Sequence, residues 1–299
     1  EIVVDVTGGF GESPSWSEAE QALLWVAAPG LVHRFHPGTG RNDTFTLPAH
    51  GLAIVPAASG AYLVVQARSV WTLDPATGNS APFAEVAGMP DGTRLNDAKT
   101  DPAGNLWFGS VEERAVQEIL SRAAAGEPAS SDTKPVRQGA GSLYRMDRDG
   151  VIDAILGDVG ISNGLGWSPD LTTMYFIDTA AGLVDQLDFD AEAGRAGGRR
   201  DYVSVASGDG LPDGMAVDAD GGTWVALFGG GCLRRYDPAG VLTDQVEFPV
   251  RQVTSCCFGG ADLADLYVTT AGIDGGLHGG SLFRLRPPVG GLPTWPFGA

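Results

Sequence analysis

Four short phrases of the sequence carry polar residues in combinations that can do chemistry. They are GFGESPSW (9–16), TRLNDAKTDPAGNLWFG (93–109), ISNGLGWSPD (161–170) and LPDGMAVDADG (211–221). Each sets an acid or an amide beside Gly or Pro: Glu12, Asn96 with Asp97, Asn163 and Asp213. Carboxylate and amide oxygens are hard donors and together suit Ca²⁺, Mg²⁺ or Mn²⁺. Two carboxylates balance a divalent charge, and amides complete the shell without adding to it. The competing explanation is local, because Asn-Gly, Pro-Asp-Gly and Asn-Asp are ordinary turn formers. A single phrase of this kind reads as a turn. Four of them, at equivalent places in separate repeats, point to a shared site.

The elements that must position these residues come from two alternating phrases. One is a strand that runs into Asp-Pro, or a similar turn, and then Gly; its copies start at residues 31, 70, 143, 183, 233 and 282. The other is a turn followed by a short aromatic strand, as in ALLWVAA, AYLVVQA, NLWFGS, TMYFIDT, GTWVALF and DLYVTT. Short runs rich in Val, Leu, Tyr and Trp, bounded by Gly, Pro and Asp, are strand signatures. In order, the two phrases make an antiparallel hairpin repeated six times, and the spacing leaves room for two more strands per repeat. Sheets this small cannot bury both faces alone and must stack on their neighbours. The predicted fold is all-β: a six-bladed β-propeller of four-stranded antiparallel blades, one domain over 1–299. The exception to the spacing is an insertion at about 111–138. Its first half carries Val116, Ile119, Leu120 and Ala123 at helical spacing, and its second half is rich in Gly, Pro and Ser. Such an excursion either covers a site or decorates the surface.

Composition narrows the partners. The chain has 299 residues with 19 Lys+Arg against 37 Asp+Glu, a formal charge of −18. That balance argues against nucleic acid, whose binding draws on Lys and Arg, and against an anionic membrane surface. No apolar run approaches the length of a membrane span. The opening EIVVDVTGGF shows no basic and then apolar leader, so a cytoplasmic setting is the expectation. Cys232 and the adjacent Cys256 and Cys257 make no CxxC pair and read as small buried residues. His33, His36, His50 and His278 form no HxH or HExxH spacing. His33 and His36 read as packing or surface residues, and His50 is a weak candidate for the channel mouth. No GxSxG supports a nucleophile-elbow hydrolase.

The phrases GESPSW, RLNDAKTDPAG, GSLYRMD, ISNGLGWSPD, LPDGMAVDADG and VTSCCFGG closely resemble the senescence-marker-protein/regucalcin/gluconolactonase family over nearly the whole chain. That resemblance implies a six-bladed propeller that hydrolyses a sugar lactone at one divalent metal in its channel. It implies that Glu12, Asn163 and Asp213 bind the metal, that Asp213 doubles as general base, and that Arg94 and Asn96 contact substrate. An acid after the third aromatic strand also holds substrate in the family. Here that stretch reads GSVEERAV, so Glu112 or Glu113 takes the role, with Glu113 as the choice. Ca²⁺ is the first candidate ion, with Zn²⁺, Mn²⁺, Mg²⁺ and Fe²⁺ as alternatives. The expected partner is a small lactone, and the expected state a monomer or weak dimer. Two rival functions remain: an organophosphate or aryl ester hydrolase on the same scaffold, and a calcium-binding propeller without catalysis.

Overall fold

The computed structural model describes residues 1–6, 8–127, 137–206 and 208–299. The strand phrases do form strands, and consecutive strands pair antiparallel in sets of four. Three sets stand as separate four-stranded sheets. They begin at Ala53–Pro56, at Thr93–Thr100 and at Ser162–Trp167, and each runs through the next three strands of the chain in order. The other twelve strands form one hydrogen-bonded sheet. Within it, Phe10–Ser17 leads Ala22–Ala28, Leu31–His36 and Arg41–Thr46, and Leu211–Val217 leads Thr223–Phe228, Cys232–Tyr236 and Leu242–Glu247. Gln252–Gly259, Asp265–Ala271 and Leu282–Leu285 take the N-terminal strand Ile2–Val4 as their fourth member, so the two ends of the chain meet. Single residue pairs, Phe228 with Gln252 and Phe10 with Ala271, join these sets edge to edge.

Burial runs in one direction across each set. The leading strands Ala53–Pro56, Leu211–Val217 and Gln252–Gly259 are wholly buried, whereas the trailing strands Ser80–Glu85 and Leu242–Glu247 are largely exposed. The leading strands touch one another in cyclic order, the last of them packing on the first. Apolar side chains fill the spaces between consecutive sets. Leu95, Ala98 and Phe108 meet Val55, Leu63 and Val65 in one such layer, and Trp16 and Trp25 meet Cys257 and Tyr267 in another. Removing this apolar surface from water is the main stabilising term, at about 25 cal/mol per Å². The result is an all-β, propeller-like arrangement of four-stranded sheets.

Tryptophans lie between sets: Trp107 packs edge-on against Trp167 of the next sheet, with ring centroids 6.5 Å apart. A turn motif orients two of them. Asp101 is fully buried and accepts hydrogen bonds from the backbone N–H of Ala103 and Asn105 and from Trp107 Nε1, at 2.9, 2.9 and 2.8 Å. Asp218 does the same for Gly222 and Trp224, with Arg235 as an added partner. His33 is buried and stacked on Trp25, and the three cysteines are buried and free.

Each polar phrase taken singly reads as a turn, yet none is a loop: Glu12, Asn96, Asn163 and Asp213 all lie inside leading strands. At the start of the insertion, expected at about 111–138, Val111 and Glu112 complete the strand Leu106–Glu112 and a helix occupies Glu113–Ala124. Of the insertion's second half, 128–136 lie outside the described residues. No helix among the described residues is long and apolar enough to cross a membrane.

Candidate functional site

The leading strands do not run straight past one another. In four of them the pairing register slips at the residues of interest, so that two residues oppose one on the neighbouring strand. The bulged pairs are Ser13-Pro14, Asn96-Asp97, Asn163-Gly164 and Asp213-Gly214. A bulge bends its strand and re-aims a side chain. Here the same distortion, repeated in four leading strands, turns Glu12, Asn96, Asn163 and Asp213 toward a common space.

The glycines after Asn163 and Asp213 are required by packing and not by turns. A Cβ on Gly164 would lie 2.7 Å from the backbone nitrogen of Met215 and 2.9 Å from the carbonyl oxygen of Asp213. On Gly214 it would lie 2.7 Å from the Cα of Ser255 and still closer to that residue's side chain. Backbone therefore meets backbone between successive leading strands, which brings the side chains on them within reach of one another.

Glu12, Arg94, Asn96, Asn163 and Asp213 line one cavity of about 210 Å³, together with His50 and Thr179. Its roof is apolar and includes Val116, Ile119 and Leu120 of the helix, so the excursion does cover this space. Hydrogen bonds tie the floor together. Asn96 is held at both ends of its amide: Oδ1 accepts from Arg94 Nη1 at 2.9 Å, and Nδ2 donates to the carbonyl of Ser162 at 2.9 Å. Thr179 donates to the carbonyl of Pro212 at 2.7 Å and accepts from Asn163 Nδ2 at 3.1 Å. A hydroxyl has a single proton to give, so the amide nitrogen of Asn163 faces Thr179 and its oxygen is left for the cavity. Nothing in the sequence around Thr179 signals this bridging role.

The electrostatics are those of crowded carboxylates. Burial pushes Glu12 up to about 7, against the pull of Arg94, and the charge of Asp97 adds to the rise. Asp213, 6% exposed, is held well above the usual carboxylate range by burial first and then by the charges of Glu12 and Asp97. Asp97 is likewise raised by burial, with Lys99, the backbone N–H of Ala98 and Ser13 opposing. Lys99 donates to the carbonyl of Met215 at 2.8 Å below the site.

Two other candidates stand apart. Glu112 accepts from the backbone N–H of Ala140 at 2.7 Å, which closes the excursion onto its strand. Glu113 begins the helix in an exposed position and is not among the residues lining the cavity; its charge acts on Arg94. No group of three or more His, Cys, Asp or Glu among the described residues could hold a metal ion. The set at hand is instead two carboxylates and an amide oxygen. Two buried carboxylates, with the charge of Glu12 raising the pKa of Asp213, are a donor set a hard cation would stabilise.

Residues 10–272 match the model of the SMP-30/Gluconolactonase/LRE-like region. The chain is similar to a regucalcin of Oryctolagus cuniculus, 34% identical over 94% of this chain and 89% of that protein. It is similar to a pentonolactonase of Haloferax volcanii, 34% identical over 98% of this chain and 96% of the relative. Among solved structures it resembles a calcium-binding protein, regucalcin, from Agrobacterium tumefaciens. That match has a TM-score of 0.85 and 28% identity, and it covers 99% of this chain and 96% of the other.

Proposed function

The chain belongs to the SMP-30/gluconolactonase/LRE-like family, and from that premise we propose that it hydrolyses a sugar lactone, or a similar small cyclic ester, at one divalent cation held by Glu12, Asn163 and Asp213. The observation that carries this reading is the convergence of those three side chains, with Arg94 and Asn96, on one covered cavity. The similarity to a pentonolactonase along almost the full chain supports the reaction class. Ca²⁺ is the first candidate ion, and the calcium-binding regucalcin structure supports it; Zn²⁺, Mn²⁺, Mg²⁺ and Fe²⁺ suit oxygen donors too. The successive sets of four strands are read as six blades of one propeller domain over 1–299. The cyclic contacts of the leading strands support that reading. Three free, buried cysteines accord with a reducing, cytoplasmic setting.

When bound, the cation supplies Lewis-acid polarisation of the lactone carbonyl and offsets the negative charge that grows on its oxygen. The protein's own groups do the rest. Asp213 orients a water molecule against the carbonyl carbon and takes its proton at a carboxylate oxygen. The bond between carbonyl carbon and ring oxygen then breaks, the proton passes to the ring oxygen, and the product is a hydroxy acid. Arg94 has spent one nitrogen on Leu95 and Asn96 and keeps its other N–H groups for substrate oxygens. Asn96 holds that guanidinium in place as well as facing the cavity, and Glu113 acts on substrate through the charge of Arg94.

Proton release measured across a panel of aldonolactones, with a phosphotriester alongside, tests this reading. Turnover of a lactone and not of the phosphotriester is expected. Turnover of the phosphotriester alone, or ion binding with no turnover of any lactone, would overturn it.

A further inference from the structure

The geometry points to a second subsite beside the covered cavity, one that takes an anionic group on the substrate, a carboxylate or a phosphate ester remote from the lactone ring. The inference rests on the lactonase reading and extends it to the substrate's far end. A second cavity of about 430 Å³ adjoins the first, and His50, Leu52, Arg94, Val116 and Leu120 line both. A ligand seated over Asp213 can therefore extend past Arg94 into it.

Gln66, Ser69 and Arg68 bring hydrogen-bond donors to this side cavity. Gln66 lines it and is 5% exposed, and its Nε2 has no partner. A buried amide without a partner costs about 1–3 kcal/mol unless something accepts from it. Ser69 Oγ already accepts from Trp71 Nε1 at 2.9 Å, so its own proton is free to donate. Arg68 gives three hydrogen bonds to the carbonyls of Met89, Pro90 and Thr93, which are neutral and leave its charge in place.

Charge pairing singles out the same spot. Arg34, Arg122, Arg137, Arg145, Arg199, Arg234, Arg235 and Arg284 are half-buried, and each has a carboxylate within 4.0 Å. Arg68 and Arg94 are the two half-buried arginines among the described residues that form no such ion pair, and both line the side cavity. Glu12 and Glu113 act on Arg94 from a greater distance. Glu85, opposite Ser69 in its sheet, makes no ion pair with Arg68. In a chain of net charge −18, two guanidiniums beside an unpaired buried amide form a site for an anion.

The test compares kcat/KM for glucono-δ-lactone, which is neutral, with glucarolactone, which carries a carboxylate, and phosphogluconolactone, which carries a phosphate. The two anionic arms separate the two sources of charge. At least one anionic lactone is expected to exceed the neutral one by about tenfold, through KM, as befits a hydrogen bond to a charged group. Gln66→Leu, which keeps the volume and removes the unpartnered Nε2, should cut that advantage. Arg68→Lys should cut it too, and both should change the neutral lactone much less. An equal loss on neutral and anionic lactones, or no gain from the charge, would overturn the subsite. Calorimetric binding of phosphogluconate to the wild type and to Gln66→Leu decides the matter independently of turnover. If no lactone is hydrolysed, the lactonase reading fails, while weaker phosphogluconate binding by the variant still supports the subsite and equal or absent binding refutes it.

Discussion

Replacing Gly214 with Ala adds one methyl group, and the structure says where it must go. The new carbon would sit 2.7 Å from the Cα of Ser255, where ordinary van der Waals contact begins near 3.4 Å. The Cβ of Ser255 would be closer still, at 2.3 Å, and neither atom can rotate away, so relieving the contact moves one leading strand about 1.1 Å from the next. Overpacking of this kind costs about 1–3 kcal/mol, which in a chain of this size lowers Tm by several degrees. The larger effect falls on the reaction. Asp213 is the preceding residue in the same bulge, and a misplacement on the order of 1 Å in a catalytic group costs about a hundredfold in rate. Thermal unfolding and kcat on a turned-over lactone give both numbers. Gly38→Ala is the control, because a Cβ there meets nothing within 4 Å and the backbone is not left-handed. If Gly214→Ala melted and turned over like the wild type, the close approach of strands would not be what positions Asp213.

Three further outcomes follow from particular contacts. Thr179→Val should weaken divalent-ion binding by about tenfold in a calorimetric titration, because Asn163 loses the acceptor that orients its amide, and Thr179→Ser should restore it. Asp101→Asn should cost about 2 kcal/mol in denaturant unfolding, because an amide nitrogen would then face the Trp107 or Asn105 donors, while kcat per folded chain stays put. His33 is held neutral: burial lowers its pKa, and the hydrogen bond with Asn42 at 3.0 Å opposes only in part. The unfolded chain binds that proton near pH 6.5 and the folded chain does not, so stability falls as pH drops below about 6.5. His33→Phe should flatten that part of a stability-against-pH curve measured between pH 7.5 and 5.

What could be read from the residues was local. Alternating apolar runs ending in Asp-Pro-Gly placed the strands, and Val116, Ile119, Leu120 and Ala123 placed the helix, because both periods are written in neighbouring residues. Of the polar residues that line the cavity, Glu12, Asn96, Asn163 and Asp213 also stood out by type, and Arg94 through the family resemblance. Their setting did not. Asn163-Gly164 and Asp213-Gly214 have the composition of turns, yet they lie in strands, and what demands glycine there is a backbone more than 40 residues away in sequence. A register slip depends on which strand is opposite, so the bulges were equally hidden. Thr179 looks like any strand-end threonine until Pro212 is placed beside it. The choice between Glu112 and Glu113 depends on where a strand stops and a helix starts, a boundary that neighbouring residues do not mark.

The rate of lactone hydrolysis as a function of bound divalent ion, starting from chelator-stripped protein, tests the central claim most directly. Activity should be absent without the ion, rise in proportion to occupancy, and saturate at one ion per chain, with Glu12→Gln and Asp213→Asn needing far more ion or never recovering. Full activity in the stripped protein, or an ion requirement that ignores both substitutions, would contradict it.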